Sequence, residues 1–427
     1  MAMTVVDTIM VGRLGPEAIG AIGLGSSAFY TLAIFGMGLL LGLDTLVSQS
    51  FGAGDRDDCH RSLAQGVYGA VFITVPLMAI FSLMPPAFYA LGIDVTVSGM
   101  AGSFVRTLNL STFPLLLYAA FRRYLQGIGH VRPVMFVLLS ANLINWFFNW
   151  LLIQGRWGLP TLGVVGSALS TCVARAYMAL MLGFFIFWFE RGLKPGFRNL
   201  LQLPDWRRLK LLAHIGLPAA TQILLEVGAF GAAAVLAGKL NAIALAAHQI
   251  AINCAAVTYM VPLGVASAGA VAVGQAVGRG EPETAKRDGW IAIALACGFM
   301  ICSAITFIAI PRAIIQIYTR NEQVLQIGAG LLAIAALFQL FDGIQTVATG
   351  VLRGVADTRT PMMVNLVGYW AFGLPIGYLL CFRMGRGVYG LWWGLTVALI
   401  AIALVLLSHW QRKSLQLFAA IHRTARA

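Results

Sequence analysis

Residues 47–61 read VSQSFGAGDRDDCHR, and residues 273–287 read VGQAVGRGEPETAKR. At a constant offset of 226 they match at Gln49/Gln275, Gly52/Gly278, Gly54/Gly280 and Arg61/Arg287. The same offset lays VGRLGPEAIGA (11–21) over AGKLNAIALAA (237–247), through Gly12/Gly238 and Leu14/Leu240, and pairs Gly38 with Gly264. Farther on, LQGIGHVRP (125–133) returns as LRGVADTRTP (352–361), the offset slipping from 227 to 228, and LGVVGSAL (162–169) echoes RGVYGLWW (386–393). Four matches in one order describe a duplicated chain, and weak symmetry between halves is a signature of membrane transporters.

Composition sets the solvent in which those halves fold. Hydrophobic residues make up 59% of the 427 and charged ones 11%, against roughly 25% charged in soluble domains. Mean hydropathy is +0.83. Apolar runs of about 20 residues, enough to cross a hydrocarbon core of roughly 30 Å, recur throughout. They fall at 1–14 (short), 22–47, 65–84, 103–121, 134–153, 162–188, 211–237, 244–273, 289–309, 325–351, 362–382 and 388–410. The fold class is therefore an all-α polytopic membrane protein. It has two six-helix lobes related by the repeat and about 12 transmembrane helices, the first truncated at its N-terminus.

Charge orients the spans. Of the 29 Lys and Arg, 20 fall in alternate loops and the C-terminal tail and seven in the opposite loops. The positive-inside rule puts the richer set in the cytoplasm. The expected domains are an N-lobe over 1–190, a cytoplasmic linker over 191–210, a C-lobe over 211–410 and a cytoplasmic tail over 411–427. The net charge of +13 sits in these short loops, so it does not mark a nucleic-acid surface. Cys59, Cys172, Cys254, Cys297, Cys302 and Cys381 are scattered without paired spacing and read as small apolar residues rather than a disulfide frame or metal site.

The repeat measures the first span. Residue 1 corresponds to Val227, so the half-helix LLAHIGLPAATQILLE (211–226) has no counterpart in the first half. The expectation is a start lying upstream, because 14 residues reach only about 21 Å as a helix. A signal peptide is excluded: there is no basic segment, and Asp7 interrupts the apolar run.

An ionisable group within a span costs about 2.5 kcal/mol or more, which makes it a functional candidate. Of 16 Asp and Glu, only Asp7, Glu226 and Asp342 lie well inside spans, while Asp44 sits near the end of one. Gln339, Asp342, Thr346 and Thr349 share one helix face, Gln222 and Glu226 another, and Asn142, Asn145 and Asn149 a third. Amides of this kind are also ordinary glue between helices. Together with three acids they describe a polar interior. Its oxygens suit Na⁺, and a desolvated carboxylate could instead carry H⁺. There is no phosphate loop and no His-Glu-x-x-His motif, so no enzymatic centre is expected, and transport would draw on an ion gradient.

Four stretches carry a resemblance. VDTIMVGRLG (6–15), DTLVSQSFGAGD (44–55), AAHQIAIN (246–253) and DGIQTVATGVLRGVADTRTP (342–361) resemble the multidrug and toxin extrusion (MATE) family, NorM-like branch, from residue 1 to about 410. The resemblance implies a central V-shaped cavity and antiport of cationic, amphipathic compounds against Na⁺ or H⁺. There would be no other cofactor, and the chain would act as a monomer in the bilayer of the bacterial inner membrane. It implies cation-coupling roles for Asp7, Asn145, Asn149 and Thr171 in the N-lobe and for Glu226 and Asp342 in the C-lobe, with Na⁺ possible at any of the three acids. Where some members carry Asp this chain has Asn149, and where others carry Tyr it has Phe338. Gln222, His248, Gln249, Asn253, Tyr259, Phe338 and Gln339 are candidates for the substrate cavity. The alternative is a flippase of a lipid-linked or other amphipathic metabolite. Such a cavity needs several inward-facing Arg to grip pyrophosphate, and only Arg106 and Arg175 are candidates.

Overall fold

The computed structural model describes residues 2–11, 14–158, 160–191 and 203–424. Gly12 of the repeat, residues 192–202 of the expected linker and the last three residues of the tail lie outside them. Among the described residues there is no strand.

Among the described residues, eleven long apolar spans follow a short first helix. The short helix is α1 (Ala2–Val11). The first span joins α2 (Pro16–Leu39) to α3 (Gly42–Gly52), and α4 (Arg56–Ala90) is the second. The third is a pair bent by 49°, α5 (Val95–Asn109) and α6 (Thr112–Gly127). Then come α7 (Val131–Leu152), α8 (Gly163–Glu190), α9 (Trp206–Gly238), α10 (Ala242–Gly278) and α11 (Pro282–Ala309). A short α12 (Pro311–Gln316) precedes α13 (Glu322–Gly354). The tenth span begins as α14 (Arg359–Asn365), loosens into a π-helix at Leu366–Gly373, and passes through α15 (Leu374–Tyr378) to a second π-turn at Leu379–Arg383. The last helix, α16 (Gly387–Thr424), runs on through the expected tail. That extension is rich in Leu, Ala, Gln, Arg and Lys, all good helix formers.

Two compact units result: Met1–Val47 with Asp55–Gly216, and Ser48–Gly54 with Leu217–Ala427. In the first, Phe29 stacks on Phe81 with centroids 4.3 Å apart, and Gly36 admits Leu77 and Leu116. In lipid, helices gain little from hydrophobic burial and associate by close packing at small residues. The second unit relies on this. A Cβ on Gly350 would overlap the Ala266 carbonyl, and one on Gly289 would overlap Trp410.

The segment Ser48–Gly54 belongs to the second unit through the repeated motif itself. A Cβ on Gly52 would overlap the Gln275 carbonyl oxygen, and one on Gly278 would overlap that of Gln49. The residues that match between the halves therefore contact one another reciprocally, Gly against the Gln three residues earlier in the other copy. Gln49 Nε2 also donates to the Gly354 carbonyl (2.9 Å).

Candidate functional site

Within the first unit the polar face of α7 closes on α1 and α8. Asp7 is buried, with 6% of its surface exposed, and Asn145, Asn149 and Thr171 surround it. Asn149 Nδ2 donates to Asp7 Oδ1 at 2.6 Å and Asn145 Nδ2 to the same oxygen at 3.2 Å. Thr171 Oγ1 donates to Oδ2 at 3.1 Å. The amide oxygens are engaged in turn, since Ser170 Oγ donates to Asn149 Oδ1 (2.6 Å) and Asn149 Nδ2 reaches Asn145 Oδ1 (3.3 Å). Both carboxylate oxygens thus face donors, the arrangement that stabilises an ionised acid at depth.

Asn142 departs from the face expected of it. Its Nδ2 returns to the Leu138 carbonyl of its own helix (2.6 Å) and takes no part in the cluster. It stands about two turns from Asn149 along the helix axis, and the Leu138 carbonyl one turn back is the nearer acceptor.

One turn beyond Thr171 on the same face of α8 stands Arg175, 2% exposed. Its guanidinium donates to Ser111 Oγ (2.8 Å) and Tyr30 Oη (3.2 Å) and lies 4.8 Å from the Phe29 ring centroid. Its charge acts on Asp7. At the end of α8, Glu190 accepts from Tyr124 Oη (2.9 Å) and pairs with His60 Nε2 (2.8 Å).

In the second unit, Glu226 on α9 and Asp342 on α13 are electrostatic neighbours, and both act on Tyr259 and Tyr369. Glu226 is half-buried and Asp342 is 5% exposed. Two interacting carboxylates raise each other's energy in a low-dielectric interior, and a cation nearby lowers it. Asp342 Oδ1 has no hydrogen-bond partner among the described residues, so both of its lone-pair sites stay open. Among the described residues no three His, Cys, Asp or Glu converge as a metal cage.

The remaining candidates take varied positions in this unit. Gln222 is buried one turn before Glu226. Tyr259 lies beside the acid pair with Thr346 next to it. Gln339 accepts from Thr258 Oγ1 (2.8 Å) and Ser303 Oγ (3.2 Å), which ties α13 to α10 and α11. His248 Nδ1 accepts from Trp392 Nε1 (3.1 Å). Phe338, 2% exposed, packs against Phe230 and Trp392. Gln249 and Asn253 are exposed, and Asn253 Nδ2 donates to the Gln249 carbonyl (2.8 Å).

Sequence reasoning passed over four participants. Ser170 was adjacent to Thr171 in GSALST and could have been read with it. Arg175 is legible in the sequence as a charge within a span, but its spacing does not reveal Ser111, Tyr30 or Phe29 as its contacts. Tyr369 and Gln345 are joined at 2.9 Å; Gln345, three residues after Asp342 and four before Thr349, has the spacing that could have marked it, whereas Tyr369 lies in an apolar run. Outside the spans, Asp357 accepts from His409 Nε2 (2.8 Å) and from the Thr360 amide and hydroxyl (both 3.2 Å). Burial works against its charge, but these hydrogen bonds outweigh it and hold the carboxyl below its ordinary range.

Comparison with known proteins gives the family and the fold. The MatE family profile matches residues 1–151 and 218–379. The chain is 35% identical over 420 residues to the probable multidrug resistance protein NorM of Brucella suis biovar 1 (strain 1330), covering 96% of this chain and 89% of that one. It is 34% identical over 428 residues to the multidrug resistance protein NorM of Burkholderia vietnamiensis, covering 98% and 92%. The fold is similar to the crystal structure of the eukaryotic MATE transporter AtDTX14, with a TM-score of 0.85 at 21% identity over 98% of this chain and 94% of that one. An outward-facing multidrug resistance MATE family transporter gives 0.87 at 18% identity over 98% and 92%.

Proposed function

This chain belongs to the MatE family, and we propose from that premise that it is a secondary active antiporter. It exports cationic, amphipathic drugs or toxins in exchange for Na⁺ or H⁺ by alternating access. The relatives named for multidrug resistance support the substrate class.

The observation that carries the reading is the Glu226–Asp342 pair, two interacting acids at membrane depth, one with an unpartnered oxygen. A coupling cation and an organic cation compete for this charge, so binding of one favours release of the other. Exchange then follows from mass action. Asp7 with Asn145, Asn149 and Thr171 serves as a second cation station. The basic loops and C-terminal tail face the cytoplasm, and the protein works as a monomer in the inner membrane.

Purified protein in liposomes with an imposed Na⁺ or pH gradient tests this. A fluorescent organic cation should be driven against its concentration by one of the two gradients. Glu226→Gln with Asp342→Asn should abolish the drive, and transport at the wild-type rate by that double variant would refute the assignment. Applying each gradient with the other clamped identifies the ion.

A further inference from the structure

The polar face of α13 continues past the acid. Asp342, Thr346 and Thr349 follow one another at helical spacing, and Arg353 ends the row near the 355–358 loop. All are buried, at 5, 7, 8 and 9% exposure. Across from them, Tyr369 Oη donates to Gln345 Oε1 (2.9 Å), which sets the register between α13 and the tenth span. One turn nearer the loop on each side stand Thr349 and Asn365.

Several polar atoms along this face lack partners. Asp342 Oδ1, Gln345 Nε2, Thr349 Oγ1 and both amide atoms of Asn365 have none among the described residues. Gln345 and Asn365 are each 0% exposed. A buried polar group left unsatisfied costs about 1–3 kcal/mol, and buried water bonded to two to four such groups is the usual remedy. The Asp7 cluster of the other unit is by contrast bonded throughout. The tenth span also runs as a π-helix from Leu366, immediately after Asn365, and π-turns are frequent at functional sites.

We propose that a water-lined path along α13, through Thr349, Gln345 and Asn365, exchanges the coupling cation between Asp342 and the 355–358 end of the lobe. The proposal rests on the antiport reading for its purpose. The hydration itself is independent of that reading.

Two measurements test it. Hydroxyl-radical footprinting of the unaltered protein should modify Tyr369, although it is 0% exposed, while Phe81 and Phe104 in the first unit (0 and 1% exposed) stay unmodified. A Tyr369 as inert as those two would overturn the path. In liposomes, the near-isosteric pair Thr349→Val and Asn365→Leu should slow gradient-driven transport about tenfold, the scale of losing one hydrogen-bonded step. Drug binding in detergent should be retained, which reports folding, and Thr349→Ser should restore the single Thr349 variant. Wild-type transport rates in the double variant would overturn the carrying role. If the unaltered protein transports no cation under either gradient, the antiport reading fails, while the footprint still decides whether the path is wet.

Discussion

Gly52 packs against Gln275 so closely that a Cβ would overlap the glutamine's carbonyl oxygen, and Gly278 does the same against Gln49. The obstacle in each case is backbone, which cannot rotate away. Gly52→Ala should therefore force the two helices apart and lower stability by about 1–3 kcal/mol. Gly231→Ala, with nothing within 4 Å of its added Cβ, serves as the control. Thermal unfolding in detergent should separate the two variants clearly.

Asn149 gives Asp7 its shortest hydrogen bond, 2.6 Å, and also accepts from Ser170. Asn149→Leu removes both at nearly constant volume and should cost about 1–3 kcal/mol. Asn142 bonds only its own helix backbone, so Asn142→Leu should stay within about 0.5 kcal/mol of wild type. Equal melting temperatures for the two variants would contradict the arrangement around Asp7.

Arg175 holds Ser111 and Tyr30 with a planar fork and stacks on Phe29. Arg175→Lys keeps the charge but not the fork or the stacking surface. A loss of about 1–3 kcal/mol is expected from these contacts alone. An unchanged melting temperature would show that charge suffices there.

Asp357 supplies the pH dependence. Its folded carboxyl titrates lower than in an unfolded chain, so its contribution to stability is complete above about pH 4, the ordinary Asp range. That contribution is lost as the pH falls through the lower folded value. Asp357→Asn should cost about 1.5–3 kcal/mol at neutral pH, as for hydrogen bonds to a charged group. The gap from wild type should close in strong acid. Melting temperatures of both proteins across the acid range check the sign.

The sequence by itself determined the architecture. Bilayer thickness makes each apolar run legible as a span, and the described residues form eleven full spans with a short first helix. The duplication was equally plain, since Gln49/Gln275 and Gly52/Gly278 match without a gap. The cost of charge in lipid singled out Asp7, Glu226 and Asp342 before any neighbour was known. Only the tertiary structure decided who meets whom. Periodicity reports which residues share a face of one helix, but not which other helix that face touches. Asn145 and Asn149 therefore reach Asp7 across 138 and 142 residues, while Asn142, on the same nominal stripe, does not. For the same reason Gln339 turns to Thr258 and Ser303 rather than towards Asp342, its neighbour along α13. Nor could a matching motif announce that its two copies pack against each other: that depends on Gly52 and Gly278 lacking the one atom that would keep the backbones apart.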